Sequence, residues 1–527
     1  MLLRFSFSLL VLPLIMACGN IEEKKENAFL KIDGQAFVDQ EGRQVMLSGI
    51  NFISKNPEEK YMPAQGEETF RKFKEYGFNC IRFGIIWDAL EPEPGKYNEE
   101  YLQEVDKRIQ WATNNGLYVF LDMHQDLYGS KYADGAPEWA TIDGGKPHYK
   151  GAVWSDSYLI SPAVQTSFDN FWANTPASDG LGIQDHYANL WKHIAKRYAN
   201  NSTVIGYDIM NEPFMGSEAQ AVMPMMLGAF AKVYAETTGK MPPSAEELEA
   251  MWSTEDSRME ALKIVESRDK FSAVVDAVYD LSAAFETQKL QPFYQKVANA
   301  VREVNSKHIL FLNHNYFVNT GVRTALEPLK LSDGSRDTLV AYAAHGYDLV
   351  VDTKEIGNPS TDRVEFIFDR IAESGKRLNM PILIGEWGAL HGDAQNVSET
   401  AKHLVGVIEG HKFSNTFWAY YKDAEKSPYF KDVLVRPYPQ RVSGKLIDYH
   451  YDFETGDFSC SWTENANSKE PSIIFVPNLK DISEDKIKES VGTKNVTFEY
   501  SESGSAGTIA IEPSGKSLKC EIKLNLK

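Results

Sequence analysis

The chain has 527 residues, 43% of them hydrophobic and 12% aromatic, enough for a large core and more than one domain. Its 55 basic and 74 acidic residues leave a net charge of −19, which excludes nucleic acid as a partner because phosphate is repelled. The 4 cysteines and 11 histidines fall in no metal-binding spacing, so no metal or other cofactor is expected.

In chain order, Arg4 precedes an apolar run, Phe5 to Ala17, that is too short to span a membrane and is predicted to be a signal peptide over residues 1–17. It ends at Cys18-Gly19-Asn20. A small residue before a cysteine, just after such a core, resembles a bacterial lipoprotein processing site and makes Cys18 the candidate lipidation site. The expectation is an exported protein anchored at the cell envelope. Met16 is unusual in that motif, so cleavage without lipidation, giving a periplasmic or secreted protein, is the alternative. Residues 18–28 are charged and turn-rich, as a tether would be.

A hairpin follows, with turns at Asp33-Gly34 and Glu41-Gly42. Eight candidate strands then alternate with amphipathic stretches: Met46–Asn51, Asn79–Ile85, Leu117–Met123, Val204–Met210, His308–Asn313, Thr338–His345, Ile382–Glu386 and Asn415–Tyr420. This alternation predicts an α/β fold, a (β/α)₈ TIM barrel, over residues 29–435. Two segments, Gly129 to Gln165 after the third strand and Met215 to Lys307 after the fourth, are too long for simple loops. From Ser443 onward short alternating runs separated by turn residues predict an antiparallel β-sandwich over 436–527. Cys80 reads as a buried thiol. Export would permit a disulfide between Cys460 and Cys520. No ligand site is identifiable in the sandwich, which either braces the barrel or helps it dock at a membrane.

The chemistry lies at two strand ends. The run "VIGYDIM" stops at Asn211-Glu212-Pro213, where proline cannot extend the ladder. The run "PILI" stops at Gly385-Glu386-Trp387-Gly388. The fourth and seventh strands of one barrel bring both glutamates to the same mouth. Two facing carboxylates, one protonated and one ionised, are the machinery of glycoside hydrolysis. The charge of Glu386 is expected to raise the pKa of Glu212.

This pattern resembles glycoside hydrolase family five, in the clan whose barrels carry the acid/base on strand four and the nucleophile on strand seven. The resemblance implies that Glu386 is the nucleophile and Glu212 the acid/base of a retaining enzyme. It implies that Asn211 contacts the sugar 2-hydroxyl, that Arg82 lies near the nucleophile, that His345 supports it and Tyr347 orients it, and that Trp418 is an aromatic platform under the sugar. "DMHQDLYG", Asp122 to Gly129, is similar to the strand-three motif of the endoglycoceramidases, and Asn51 and Lys55 have the spacing of their first strand loop. "RPYPQRVSG", Arg436 to Gly444, resembles their passage into the C-terminal sandwich. Gly346 departs from the pattern, where an aromatic residue is expected. On this resemblance Lys55, His124, Asp126 and Asn211 contact hydroxyls next to the cut, and the Met-rich stretch Val222–Phe230 is either a wall for ceramide or the core of a helical insertion. The implied activity is endo-hydrolysis of the bond between oligosaccharide and ceramide, with a glycosphingolipid as substrate, contact with a membrane surface and no protein partner. The alternatives are an exo-acting glucosylceramidase, or another lipid or aryl β-glycosidase, and, outside enzymes, a glycan-binding lipoprotein.

Overall fold

The computed structural model describes residues 29–151, 153–390, 396–492, 494–502 and 504–527. The expected signal peptide, Cys18 and the whole of the expected tether lie outside the described residues. Eight parallel strands close into a barrel in sequence order: β4 (Ser48–Phe52), β5 (Cys80–Ile86), β6 (Tyr118–His124), β7 (Val204–Asp208), β8 (Ile309–Leu312), β9 (Val340–Gly346), β10 (Ile382–Trp387) and β11 (Ser414–Phe417). β11 pairs back to β4. Each expected strand is present. β7 ends at Asp208, short of the expected Met210, and the Ile209 carbonyl accepts from the Tyr187 hydroxyl (2.7 Å) and the Trp191 indole (2.9 Å).

The period of two along the strands, interrupted by bulges at Ile205 on β7 and Gly385 on β10, sorts the residues into layers. Cys80, Phe120, Ile205, Ile309, Phe311, Ala341, Ala343 and Leu383 form an apolar floor inside the barrel. Their neighbours Ile81, Phe83, Val119, Leu121, Tyr207, Leu310 and Tyr342 pack outward under the helices. Two residues above the floor the inward positions turn polar: Arg82 on β5, Asp122 on β6, Asp208 beyond Gly206 on β7, and His345 on β9. An apolar plug with a charged layer above it thus lifts the chemistry to the carboxyl ends of the strands.

The N-terminal hairpin is not a barrel element. Its strands β1 (Lys31–Asp33), β2 (Ala36–Val38) and β3 (Gln44–Val45) run antiparallel, and β3 pairs with β12 (Tyr438–Val442). They form one edge of a seven-stranded sheet ordered β1-β2-β3-β12-β15-β17-β16, with β15 (Ser472–Val476), β16 (Val496–Tyr500) and β17 (Gly507–Ile511). Phe37 of β2 lies against Phe311 in the barrel floor (centroids 6.2 Å apart), which explains why this hairpin is apolar on one face. β13 (Gly444–Tyr451), β14 (Asp457–Glu464) and β18 (Lys519–Asn525) make a second antiparallel sheet, and Leu446, Trp462, Ile474, Ile509 and Ile522 fill the core of this C-terminal unit. A helix, Glu484–Ser490, was not foreseen there; it buries Ile487.

Cys460 and Cys520 are both free thiols. Cys460 stands opposite Ile522 and Cys520 opposite Trp462, so the two are offset along adjacent strands. The Cys520 thiol donates instead to Glu464 (3.0 Å). Barrel and sandwich are joined by buried polar contacts: Arg436 Nε to Glu409 (2.8 Å), the Tyr451 amide to the same carboxylate (3.1 Å), and the Tyr438 hydroxyl to the Gly77 carbonyl (2.6 Å). A side chain at Gly77 would collide with the Phe475 ring, and its φ of +84° is one only glycine adopts freely.

Candidate active site

Glu386 reaches the mouth through a β-bulge. Ile384 pairs with Ala344 of β9 but Glu386 pairs with His345, so Gly385 is the extra residue. Gly385 faces inward, where a Cβ would lie 3.0 Å from His345 Nε2. The bulge then turns Glu386 to the same side as its neighbour rather than outward under the helices. Glu386 Oε1 accepts from Arg82 (2.6 Å) and Oε2 from the Tyr347 hydroxyl (3.0 Å).

Arg82 is fully buried and gathers Asp122 (2.9 Å), Asp208 (2.8 Å), Asn51 Oδ1 (3.1 Å), Asn211 Oδ1 (2.9 Å) and Glu386. One cation shared by so many acceptors keeps the carboxylate layer fixed. Against its burial, Arg82 and His124 hold Asp122 below the usual carboxylate range, while burial pushes Asp208 above it.

Glu212 sits at φ +39°, a left-handed conformation that is costly for a residue with a Cβ. Its backbone is clamped from β6: Gln125 Nε2 donates to the carbonyls of Asn211 (2.8 Å) and Glu212 (3.1 Å). Its Oε1 accepts from His345 Nδ1 (2.8 Å) and from Asn319 Nδ2 (2.7 Å). His345 Nε2 takes a hydrogen bond from Asn313 Nδ2 (2.8 Å), which places the ring hydrogen on Nδ1. With Oε1 occupied by two donors, the acid proton belongs on Oε2. The pKa of Glu212 is pushed up to about 7, first by burial and then by the charge of Asp126. The pKa is raised, as expected, but the charge of Glu386 is not among the main causes: Glu386 is matched by the Arg82 guanidinium, and loss of water at Glu212 counts for more. Burial, with the positive charges of Arg82 and His124, lowers His345 to about 3, so it stays neutral.

An oxygen of Glu212 and one of Glu386 lie within 4.8 Å of each other. That closeness suits a retaining pair, whose carboxyl groups stand about 5–5.5 Å apart.

The motif Asp122–Gly129 has a task at almost every position. Asp122 holds Arg82 and accepts from His124 Nδ1 (2.8 Å). His124 Nε2 is buried without a hydrogen-bond partner and lines the cleft. Asp126 pairs with Lys55. Against their burial, Asp122 and Asp126 raise His124 to about 10, and Lys55 and His124 hold Asp126 down at about 2. Trp418 is half-buried, with the Lys55 ammonium 4.6 Å from its ring centroid and the His124 ring nearly parallel at 5.2 Å.

The cleft has a volume of about 520 Å³. It brings together Lys55, His124, Asp126, Asn211, Glu212, Tyr347, Glu386 and Trp418, with Arg82 and His345 beneath them. Its lining is mixed: polar and charged groups from the loops after β4 and β6 with Trp418, and Tyr316, Phe317, Val351 and Trp154 beside Asn319, Thr320 and Asp352 from the loops after β8, β9 and β6. The Met-rich stretch Val222–Phe230 does not reach it. That run opens the helix Val222–Thr238 and buries Val222 and Phe230 in the insertion's own packing.

Several residues escaped the sequence reading. Asp122 alternates with His124 on one strand, so its inward direction was visible. Asp134 also lines the cleft, pushed up to about 6 by burial and by Asp126. Asn319 left no signal: it lies in the turn Tyr316–Thr320 after β8, far along the chain from the glutamate it touches.

Comparison with known proteins agrees with this geometry. Residues 38–424 match the family model described as cellulase (glycosyl hydrolase family 5), and residues 436–522 the glycoside hydrolase family 5 C-terminal domain. An endoglycoceramidase of Cyanea nozakii is 24% identical, over 90% of this chain and 91% of its own. Endoglycoceramidase I of Rhodococcus hoagii is 25% identical, over 85% of this chain and 80% of its own. The structure of endo-glycoceramidase II from Rhodococcus sp. in complex with ganglioside GM3 superposes with a TM-score of 0.70 at 22% identity, covering 95% of this chain and 99% of that one. With its paired strand-end glutamates and a family match spanning most of its length, the chain belongs to glycosyl hydrolase family 5.

Proposed function

We propose that the protein is a retaining endo-glycosidase that cuts the β-glycosidic bond between an oligosaccharide and ceramide in glycosphingolipids. The observation that carries this reading is the mixed lining of the cleft that holds both glutamates. Lys55, His124, Asp126 and Trp418 suit sugar hydroxyls and a sugar face, and Tyr316, Phe317, Val351 and Trp154 suit an alkyl aglycone, in the one cleft that also holds Glu212 and Glu386. The names of the similar proteins support it. Glu386, held in place by Arg82 and Tyr347, attacks the anomeric carbon; the bond to the ceramide oxygen breaks and Glu212 Oε2 gives that oxygen its proton. Glu212, now a carboxylate, takes a proton from water, which attacks the glycosyl-enzyme and frees Glu386. With a pKa of about 7, Glu212 is suited to both halves of the cycle near neutral pH.

The test is incubation with lactosylceramide in detergent and mass spectrometry of both products. Ceramide and intact lactose are expected. Release of a single sugar with glucosylceramide left behind would make it an exo-enzyme. No cleavage of any glycolipid, with brisk hydrolysis of a soluble β-glucan, would leave only the family. We further infer that the protein is exported and lipid-anchored through Cys18, on the pattern of residues 1–20. Metabolic labelling with a fatty acid that still marks a Cys18→Ser chain would reject that anchor.

A further inference from the structure

The run Val222–Phe230 has no place in the cleft and is not wholly core. Met225 is exposed, and Met223, Met226 and Leu227 are half-exposed. A helix that is apolar on all sides belongs inside a protein, yet the first turns of this one lie at the surface. The preceding turn, Gly216–Ala221, packs on the helices Asp156–Ile160 and Pro162–Trp172. Gln220 Nε2 donates to Gln165 Oε1 (2.8 Å) and the Ser217 amide to Asp169 Oδ1 (2.9 Å). The helix start therefore continues the surface of the insertion after β6.

That surface is apolar as well. Tyr149, Trp154 and Ile160 are exposed by 52%, 44% and 46%. The Tyr149 amide donates to Ser161 Oγ (3.3 Å), which sets it beside Ile160. Trp154 lines the cleft, and its indole donates to Asp352 (2.8 Å), so the patch runs up to the rim. Single exposed apolar residues mean little; a group of them at a cleft mouth marks a contact surface. Charge selects the partner. The stretch from Gly144 to Trp154 contains Lys146 and Lys150 and no acidic residue, on a chain of net charge −19. Among the described residues neither lysine has an ion-pair partner. Tyrosine and tryptophan favour the headgroup zone of a bilayer, and lysines beside them favour anionic lipid.

We propose that this patch, Tyr149, Trp154, Ile160 and Met225 flanked by Lys146 and Lys150, docks the cleft mouth onto an anionic lipid bilayer. The inference rests on the glycolipid reading, since a ceramide in a membrane must be met at its surface. It gives the barrel a docking role and leaves the sandwich the other of its two alternatives, bracing the barrel.

The test is co-sedimentation of the chain from Gly19 onward with vesicles of phosphatidylcholine, alone or mixed with phosphatidylglycerol. The unaltered protein should bind the mixed vesicles. Tyr149→Ser/Ile160→Ser/Met225→Ser should bind about tenfold more weakly. Lys146→Glu/Lys150→Glu should lose the preference for phosphatidylglycerol, again by about tenfold. No binding by the unaltered protein, or equal binding by the variants, overturns the proposal. A dimer in size exclusion that the serine variant dissolves assigns the patch to a second copy of the chain and overturns it too. All five substituted residues lie outside the cleft, so cleavage of detergent-dispersed lactosylceramide should stay at the unaltered rate. Failure of that cleavage in the unaltered protein would refute the glycolipid reading separately, while vesicle binding is still read by itself.

Discussion

Asn319→Ala should raise the pH up to which the enzyme works on its natural leaving group. The asparagine gives Glu212 Oε1 a buried hydrogen bond of 2.7 Å that favours the carboxylate. Hydrogen bonds to charged groups are worth about 1.5–3 kcal/mol, and a pKa unit about 1.4 kcal/mol, so complete loss would raise the pKa by about one to two units. Asn319 lines the cleft, where water can fill part of the gap, so about one unit is the expectation. The sign follows from the acid's role: a higher pKa keeps Glu212 protonated further into the alkaline range. The alkaline limb of kcat/KM, set by Glu212 at about 7, should therefore move up by that unit. His345, Asp126, His124 and Lys55 still surround the carboxylate. The Asn319 carbonyl that accepts from the Tyr347 amide (3.1 Å) survives the substitution, so the nucleophile's partner is undisturbed. The assay is the pH dependence of lactosylceramide cleavage beside that of an aryl lactoside, whose leaving group needs little protonation and should show a much weaker limb. Asn319→Asp, which adds a negative charge, should move the limb further in the same direction. A folded Asn319→Ala protein with its limb unmoved would refute the assignment of that limb to Glu212 and of Asn319 to its control.

Other perturbations have equally definite outcomes. Glu386→Gln should abolish turnover of every substrate, measured as loss of both lactose and aryl alcohol release. Glu212→Ala should lose glycolipid cleavage but turn over an activated aryl glycoside when azide is added, and equal loss without rescue would reject its role as the acid/base. Arg82→Leu strands Asp208 as a buried, unpaired carboxyl, leaves Asp122 only its bond to His124, and should cost about 3–5 kcal/mol, read as a drop in the midpoint of denaturant unfolding. Because Cys460 and Cys520 are free, the intact mass without reductant should equal the fully reduced mass, and reductant should leave the thermal midpoint unchanged.

The sequence by itself determined the barrel, the sandwich and the two glutamates, because each depends on local signals. Alternating runs with Gly and Pro stops mark strands, and Asn211-Glu212-Pro213 and Gly385-Glu386 end two of them at the same barrel face. Cys80 and Arg82, or Phe120 and Asp122, show within a few residues which side faces the axis. What the fold decided depends on groups far apart in the chain. The inward turn of Glu386 needs the bulge at Gly385, visible only against its pairing with His345. The pKa of Glu212 is set by burial and by Asp126 rather than by Glu386, because Arg82 meets the nucleophile's charge. Asn319 reaches Glu212 from a turn after β8. The Met-rich run carried a strong apolar signal, yet its composition could not say which surface it would join. Composition and periodicity report whether a side chain leaves water; only packing reports what it meets when it does.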